Sequence, residues 1–264
     1  MIACREVHEV AELERIVDLE ILVWEMNPRD AVPVNTLKTL MHNGGSVIGA
    51  YEGDMLVGFT VALPARRGQE WLLWSHMAGV HPSYRGHGIG FTLKQAQRLW
   101  ALENGYARIG WTYDPMQSAN ANFNLRRLGA TAVAYLVNHY GEMSDGINQG
   151  LPSDRLEIAW WLNDARAVAA AENRLDFSPL REEEVTGWVV MSADGLPEVH
   201  PLNEAPMIRI ELPLNSTALR RDALRGRTWQ EALRHAFLAA FDAGYVAVDF
   251  HRDSERGCYL LERR

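Results

Sequence analysis

The chain lacks the marks of an exported, membrane-bound or disulfide-stapled protein. Its only cysteines are Cys4 and Cys258, at opposite ends and without metal-ligand spacing. That excludes a disulfide framework and leaves two reduced core or strand residues, with no metal expected. No apolar run approaches the ~20 residues of a membrane span, so no membrane partner is expected. The opening Met-Ile-Ala-Cys-Arg-Glu puts charge where a signal peptide needs an apolar core, which predicts a cytoplasmic protein. Positive charge is in deficit: 26 Lys and Arg against 34 Asp and Glu give a net charge of −8. Such a balance argues against nucleic acid as a general partner.

What is present is ample core material. Hydrophobic residues make up 47% of 264, enough for one large domain or two small ones. Residues 1–6 read as a strand, and the apolar spacing over 9–24 and 34–42 predicts helices on either side of a proline-bearing loop. Two apolar runs, 47–51 and 56–63, flank Glu52-Gly53-Asp54 as a hairpin, and 71–80 is a third run. A helix over 90–103 follows, with Leu93, Ala96 and Trp100 on one face. Then come a strand at 107–112, a helix at 118–128 stopped by Gly129, and strands at 131–139 and 155–162. After Asn163 the composition changes. An alanine-rich helix at 165–172, strands at 185–192 and 207–212, a helix opened by the capping box Thr228 to Glu231, and a hairpin over 245–262 are expected.

The most informative segment is Val80 to Gly90, Val-His-Pro-Ser-Tyr-Arg-Gly-His-Gly-Ile-Gly. A strand ends there, Gly86, Gly88 and Gly90 alternate, and a helix begins at once. Backbone amides free of Cβ crowding at a helix start form an anion site, and Arg85 adds a full charge. A phosphate loop would need Lys and Ser/Thr after its last glycine, where Phe91 and Thr92 stand. A dinucleotide fingerprint needs a later third glycine and an acid about 20 residues on, where Gly110 and Trp111 stand. Arg66, Arg67, Lys94 and Arg98 are further basic residues that would gather positive charge around the loop.

What fits is Arg-x-x-Gly-x-Gly, Arg85 to Gly90, after a strand ending at Val80. In this the chain resembles the GNAT superfamily of acyl-coenzyme A-dependent N-acyltransferases. The resemblance covers about residues 1–162 and implies an α/β (α+β) GNAT fold: a mixed, mostly antiparallel sheet flanked by helices. Residues 163–264 would be a smaller C-terminal α/β domain. Their strand–helix–hairpin order echoes the second half of such a fold without its glycine motif, which suits a degenerate GNAT-like half, a scaffold for the acceptor pocket or a homodimer interface. The stretch at 140–155 also looks like that of a GNAT subgroup with a C-terminal extension.

The resemblance implies acetyl-coenzyme A, or another acyl-coenzyme A, as co-substrate. It assigns Arg85, Gly86, His87, Gly88, Ile89 and Gly90 to the pyrophosphate, and the backbone of Ala78 to Val80 to the acyl carbonyl, with the pantetheine arm between splayed fourth and fifth strands. GNAT enzymes often carry a tyrosine on the helix after strand five, where this chain has Leu125. The usual acid is therefore absent, which slows thiolate departure without forbidding it. Asn120, Asn122 and Asn124 are unusual in a helix and are candidates for pantetheine contacts or caps, Asn120 foremost.

For the base that deprotonates the amine, His76 on the fourth strand and Asp114 after the fifth are the leading candidates. Each has a bland alternative, a buried structural histidine and a cap on the turn before Pro115. Tyr113, His139 and Tyr140 are weaker candidates. Arg155, in the polar loop of 140–155, is suited to clamp a carboxylate, or else pairs with Asp154 or Glu157. Trp24 and the loop after it would line the other side of the pocket, by resemblance. Expected activity is transfer of an acetyl or succinyl-type group to a small amine, an amino acid among the candidates. The alternative is a regulatory protein that binds acyl-coenzyme A without turnover. Acylation of a protein side chain lacks support, because nothing marks a peptide groove.

Overall fold

The structure is a computed structural model, and it describes residues 1–141, 151–176, 185–202 and 204–264. The chain forms two compact units, one of Met1–Trp111 with Trp161–Asn163, the other of the described residues from Thr112 to Trp160 and from Asp164 onward. This division by compactness differs from the expected boundary at 162/163.

The first unit runs β1 (Ile2–Glu6), α1 (Val10–Trp24), α2 (Val34–His42), β2 (Ser46–Glu52), β3 (Met55–Arg67), β4 (Glu70–Val80), α3 (Ile89–Glu103) and the start of β5 (Arg108–Tyr113). Strands β1 to β4 pair antiparallel in sequence order, and β5 joins β4 in parallel. The meander follows from the glycine-bearing hairpin turn and from strands that alternate their burial. Neighbours on β2 show the alternation: Val47 joins Leu13, Ile16, Leu37 and Phe59 from the α1 and α2 side, while Ile48 joins Ile89 and Leu93 of α3.

α1 also buries a carboxylate. Glu20 is 1% exposed, and its two oxygens accept from the backbone N–H of Val32 at 3.3 and 3.2 Å, which pins the α1–α2 connection. Burial disfavours the charged form and pushes its pKa up to about 7.

The second unit holds α4 (Ser118–Ala121), β6 (Thr131–Leu136), β7 (Arg155–Trp161), α5 (Ala165–Ala171), β8 (Thr186–Met191), β9 (Pro197–Val199), β10 (Met207–Pro213), α6 (Ser216–Arg221), α7 (Ala223–Asp242), β11 (Tyr245–Arg252) and β12 (Arg256–Arg263). Its strand order is β7-β6-β11-β12-β10-β8-β9, antiparallel except for β10 beside β8. Its core is aromatic: Phe237 and Phe250 both meet the buried Tyr259 ring edge to face, at 5.1 and 4.8 Å.

Two expectations change here. The helix expected at 118–128 is one α-turn followed by a π-helical stretch, Asn122–Arg127. The expected capping box lies inside α7 rather than at its start. Asp222 caps the helix by accepting from Arg225 N–H, and the Thr228 hydroxyl donates to the Leu224 carbonyl one turn back.

α7 is tied to β6 and β7 by an ion pair. The Asp154 side chain is fully buried and takes two hydrogen bonds from Arg234, at 2.9 and 3.0 Å, one from Tyr135 Oη at 2.7 Å and one from Asn138 N–H at 2.9 Å. Gln230, one turn before Arg234, donates to the Pro152 carbonyl at 2.7 Å.

Removing one partner of that pair strands a buried charge, whereas removing both does not. Arg234→Met is therefore expected to lose about 3–5 kcal/mol in urea melts, and adding Asp154→Asn to restore much of it. Equal losses in the single and double variants would refute the account. For Glu20 the folded state holds its proton more tightly than the unfolded chain. Its stabilising effect is complete below pH 4.5 and lost as pH rises through about 7. Between those limits wild type should lose on the order of 3 kcal/mol relative to Glu20→Gln, read from unfolding curves at several pH values.

Candidate active site

The glycine segment leaves β4 and enters α3 through a 3-10 turn, Pro82–Tyr84. The turn is held at both ends: His81 Nδ1 accepts from Ser83 N–H, and the Tyr84 hydroxyl donates to Glu52 Oε2 at 2.8 Å. Gly86 and Gly88 follow at φ +83° and +78°, the left-handed region that a side chain would strain. An added Cβ at either would meet nothing within 4 Å, so the cradle is open in front of both. Among the described residues nothing accepts from the backbone amides of Gly86, His87 and Gly88. Gly88 caps α3 without a side-chain bond, and Ile89 anchors the first turn at 2% exposure.

Arg85 is exposed, its guanidinium steadied by the carbonyls of Val80 and Val23 at 3.5 and 3.3 Å. A convergent set of free amides, a helix N-terminus and a guanidinium fits a diphosphate.

Upstream, β4 is bulged. Met77 pairs with Val61 and Ser75 with Ala62, so His76 is the extra residue with no partner on β3. A bulge re-aims the side chain it carries. The imidazole of His76 is exposed yet crowded by protein atoms, and that desolvation lowers its pKa below the usual 6.5. This is not the buried structural histidine of the bland alternative.

β4 touches β5 at only two register pairs, Leu73 with Ile109 and Trp74 with Gly110. Beyond them the edge of Ser75 to Val80 that faces β5 has no parallel ladder, which leaves backbone groups around Ala78 open to a ligand. Where the strands part lies a residue whose role the sequence did not reveal. Lys94 of α3 is 4% exposed; its Nζ donates to Ser75 Oγ at 3.1 Å and Gln97 Oε1 at 2.7 Å, and lies 3.9 Å from the Trp111 ring centre. Burial brings its pKa down to about 7.

The basic cluster expected around the glycines is thereby corrected. Lys94 and Arg98 belong to the sheet-facing side of α3, with Arg98 donating to the Leu162 carbonyl at 2.9 Å. Arg66 and Arg67 serve the β3–β4 hairpin, on Gly68 and Gln69 and over Trp74 respectively. Arg85 alone of the five stands in the glycine loop. Trp24 is half-buried at the end of α1 and meets Phe59 edge to face at 6.0 Å, as part of the core under β3.

The remaining candidates lie in the second unit. Asp114 is 7% exposed and accepts from Met116 N–H at 2.9 Å, the turn-capping role. Tyr113 is buried and shares a hydrogen bond with Tyr259; burial drives its pKa far up, which unfits it as a base. Asn120 is exposed on α4, while Asn124 and Leu125 are buried in the π-helical stretch. Arg155 is 7% exposed; it donates to the Asp154 carbonyl and stacks 5.3 Å from the Tyr140 ring centre, whose hydroxyl bonds Thr112 at 3.0 Å. The Asp154 carboxylate pairs with Arg234. Part of the polar loop, 142–150, lies outside the described residues.

Comparison with known proteins is consistent with this geometry. Residues 11–130 match the family of GNAT acetyltransferases. A search of curated proteins gives no match. Among solved structures, yncA of Salmonella typhimurium, determined with its cofactor acetyl-CoA, aligns at TM-score 0.50 and 16% identity, over 62% of this chain and 95% of its own. The ribosomal-protein-S18-alanine N-acetyltransferase of Escherichia coli aligns at 0.49 and 13%, over 60% and 92%. The IAA acetyltransferase of Bacillus cereus aligns at 0.46 and 14%, over 60% and 98%. At these identities the first carries the fold and nothing more. No helix among the described residues is long and apolar enough to cross a membrane. An open cradle of amides after a bulged strand that parts from its parallel neighbour sits inside the matched span, and residues 11–130 match the GNAT acetyltransferase family over that site.

Proposed function

We propose that the protein moves an acetyl or succinyl-type group from acyl-coenzyme A to the amine of a small molecule, with amino acids as the first class to test, by direct attack. The observation that carries this reading is the open amide cradle at Gly86 to Gly88, shaped for a diphosphate. In it Arg85, Gly86, His87, Gly88, Ile89 and Gly90 bind the coenzyme pyrophosphate, and Asn120 contacts the pantetheine. The unpaired edge of β4 offers N–H groups around Ala78 and Val80 to the acyl carbonyl, an electrostatic aid at the point where negative charge develops. We assign the acyltransferase domain to 1–162 and an accessory α/β domain to 163–264.

His76 is the better candidate base. Its lowered pKa keeps the imidazole neutral, and so able to take the ammonium proton, at neutral pH. Asp114 is the second candidate, acting through a water. Arg155 and Trp24 are assigned to the acceptor, Arg155 by its planar fork for a carboxylate. Because Leu125 is fully buried where the family's tyrosine would stand, no side chain at that position protonates the leaving thiolate. That same residue favours a second reading, an acyl-coenzyme A-binding regulator without turnover.

The decisive assay is thiol release from acetyl- and succinyl-coenzyme A against a panel of amines and D- and L-amino acids. Turnover with one class establishes the enzyme; silence from a protein that still binds coenzyme A establishes the regulator. Gly88→Trp is expected to abolish coenzyme binding, since the indole would fill the cradle and strain a left-handed residue. Unchanged binding would refute the site. His76→Ala should lower kcat about 100-fold, the usual size of a general-base effect, and remove the acid limb of the wild-type pH profile, which lies below pH 6.5.

A further inference from the structure

Lys94 stands at an unusual place. The parallel ladder between β4 and β5 ends at Trp74 with Gly110, and Ser75 and Trp111 are the next residue on each strand. The Lys94 ammonium touches both, by a hydrogen bond to the Ser75 hydroxyl and by its position over the Trp111 ring. It is thus wedged where the two strands part, reaching one branch through a donor and the other through a cation–π contact.

Simple stability does not account for this arrangement. A lysine head taken out of water is costly, and an apolar side chain of similar length would fill the same space without that cost. Gln97, fully buried, turns its carboxamide oxygen to the ammonium and leaves Nε2 with no acceptor among the described residues. That is a second expense an apolar cluster would avoid. The groups facing the ammonium include Gln97 of α3, Ser75 of β4 and Trp111 of β5. Burial brings its pKa down to about 7.

We propose that Lys94 is a positioning residue that holds the fork between β4 and β5 open at the width the acyl-coenzyme A arm requires. The inference rests on the acyl-coenzyme A reading above, and adds a residue outside the glycine loop to it. Lys94 does not touch the reacting atoms. It sets the separation of the strands whose backbone does.

The test is calorimetric titration with acetyl-coenzyme A together with thermal melting, on wild type, Lys94→Met and Ser75→Ala. Lys94→Met is expected to bind about tenfold more weakly, the equivalent of one lost charge-assisted contact, while melting at the same or a higher temperature. Ser75→Ala, which keeps the ammonium and removes one anchor, should weaken binding about threefold in the same direction. A purely structural lysine predicts the reverse: a lower melting temperature with unchanged affinity. Wild-type affinity in Lys94→Met overturns the inference, as does weaker binding accompanied by a fall in melting temperature. A wild type that binds no acetyl-coenzyme A overturns the underlying reading and the inference with it, and is told apart by the absence of any wild-type titration signal.

Discussion

The brevity of one strand pairing governs the first unit. β4 pairs with β3 along its whole length but with β5 over only two residues. A sheet that stops pairing in its interior exposes N–H and C=O groups that water or a ligand must satisfy. Both features that suit an acyl-coenzyme A site follow from it. The free edge of Ser75 to Val80 offers backbone groups to a carbonyl, and the same strand delivers Val80 into the turn that aims the glycine amides outward. The bulge at His76 falls on this stretch as well, so strand curvature, the free edge and the candidate base share six residues.

Much of this was legible in the sequence because glycine and proline report backbone shape directly. Gly86 and Gly88 leave amides free of Cβ crowding at the helix start, as their alternation suggested, and the ends of α2, α3 and the β2–β3 hairpin fall within a residue or a few of their punctuation. Side-chain placement was less legible. The buried face of α3 is Ile89, Leu93, Lys94, Gln97, Arg98 and Ala101. Hydropathy ranks half of those as solvent-facing, so the buried face is wider than the expected Leu93, Ala96 and Trp100, which do pack in the core cluster of Ile89. Periodicity reads a buried lysine as an exposed one, and Glu20 is hidden in the same way in α1. The capping box at Thr228 failed for a related reason. Its pattern is real, but Asp222 six residues earlier is a better cap, and the helix begins there.

The second unit shows how a polar network specifies packing. Asp154 gathers Arg234, Tyr135 and the Asn138 amide, joining α7 to the ends of β6 and β7. A buried pair is weak evidence of net stability, yet its geometry is specific: a bidentate fork admits one register of α7. The neighbouring residue, Arg155, donates to the Asp154 carbonyl and stacks on Tyr140.

The two buried charges of the first unit bear on function through their signs. Glu20 is raised to about 7, so its contribution to stability falls as pH climbs from 4.5 to 7. Lys94 is lowered to about 7, so its contribution is lost as pH falls from 10.5 through 7. The combined contribution is lowest near neutrality, where a protein selected only for robustness would place it highest. One group pins the connection after α1 and the other wedges the β4–β5 fork, and each does so with a polar head in a dry place. Stability given up at two such polar heads is the pattern expected when local shape matters more than the free energy of the fold.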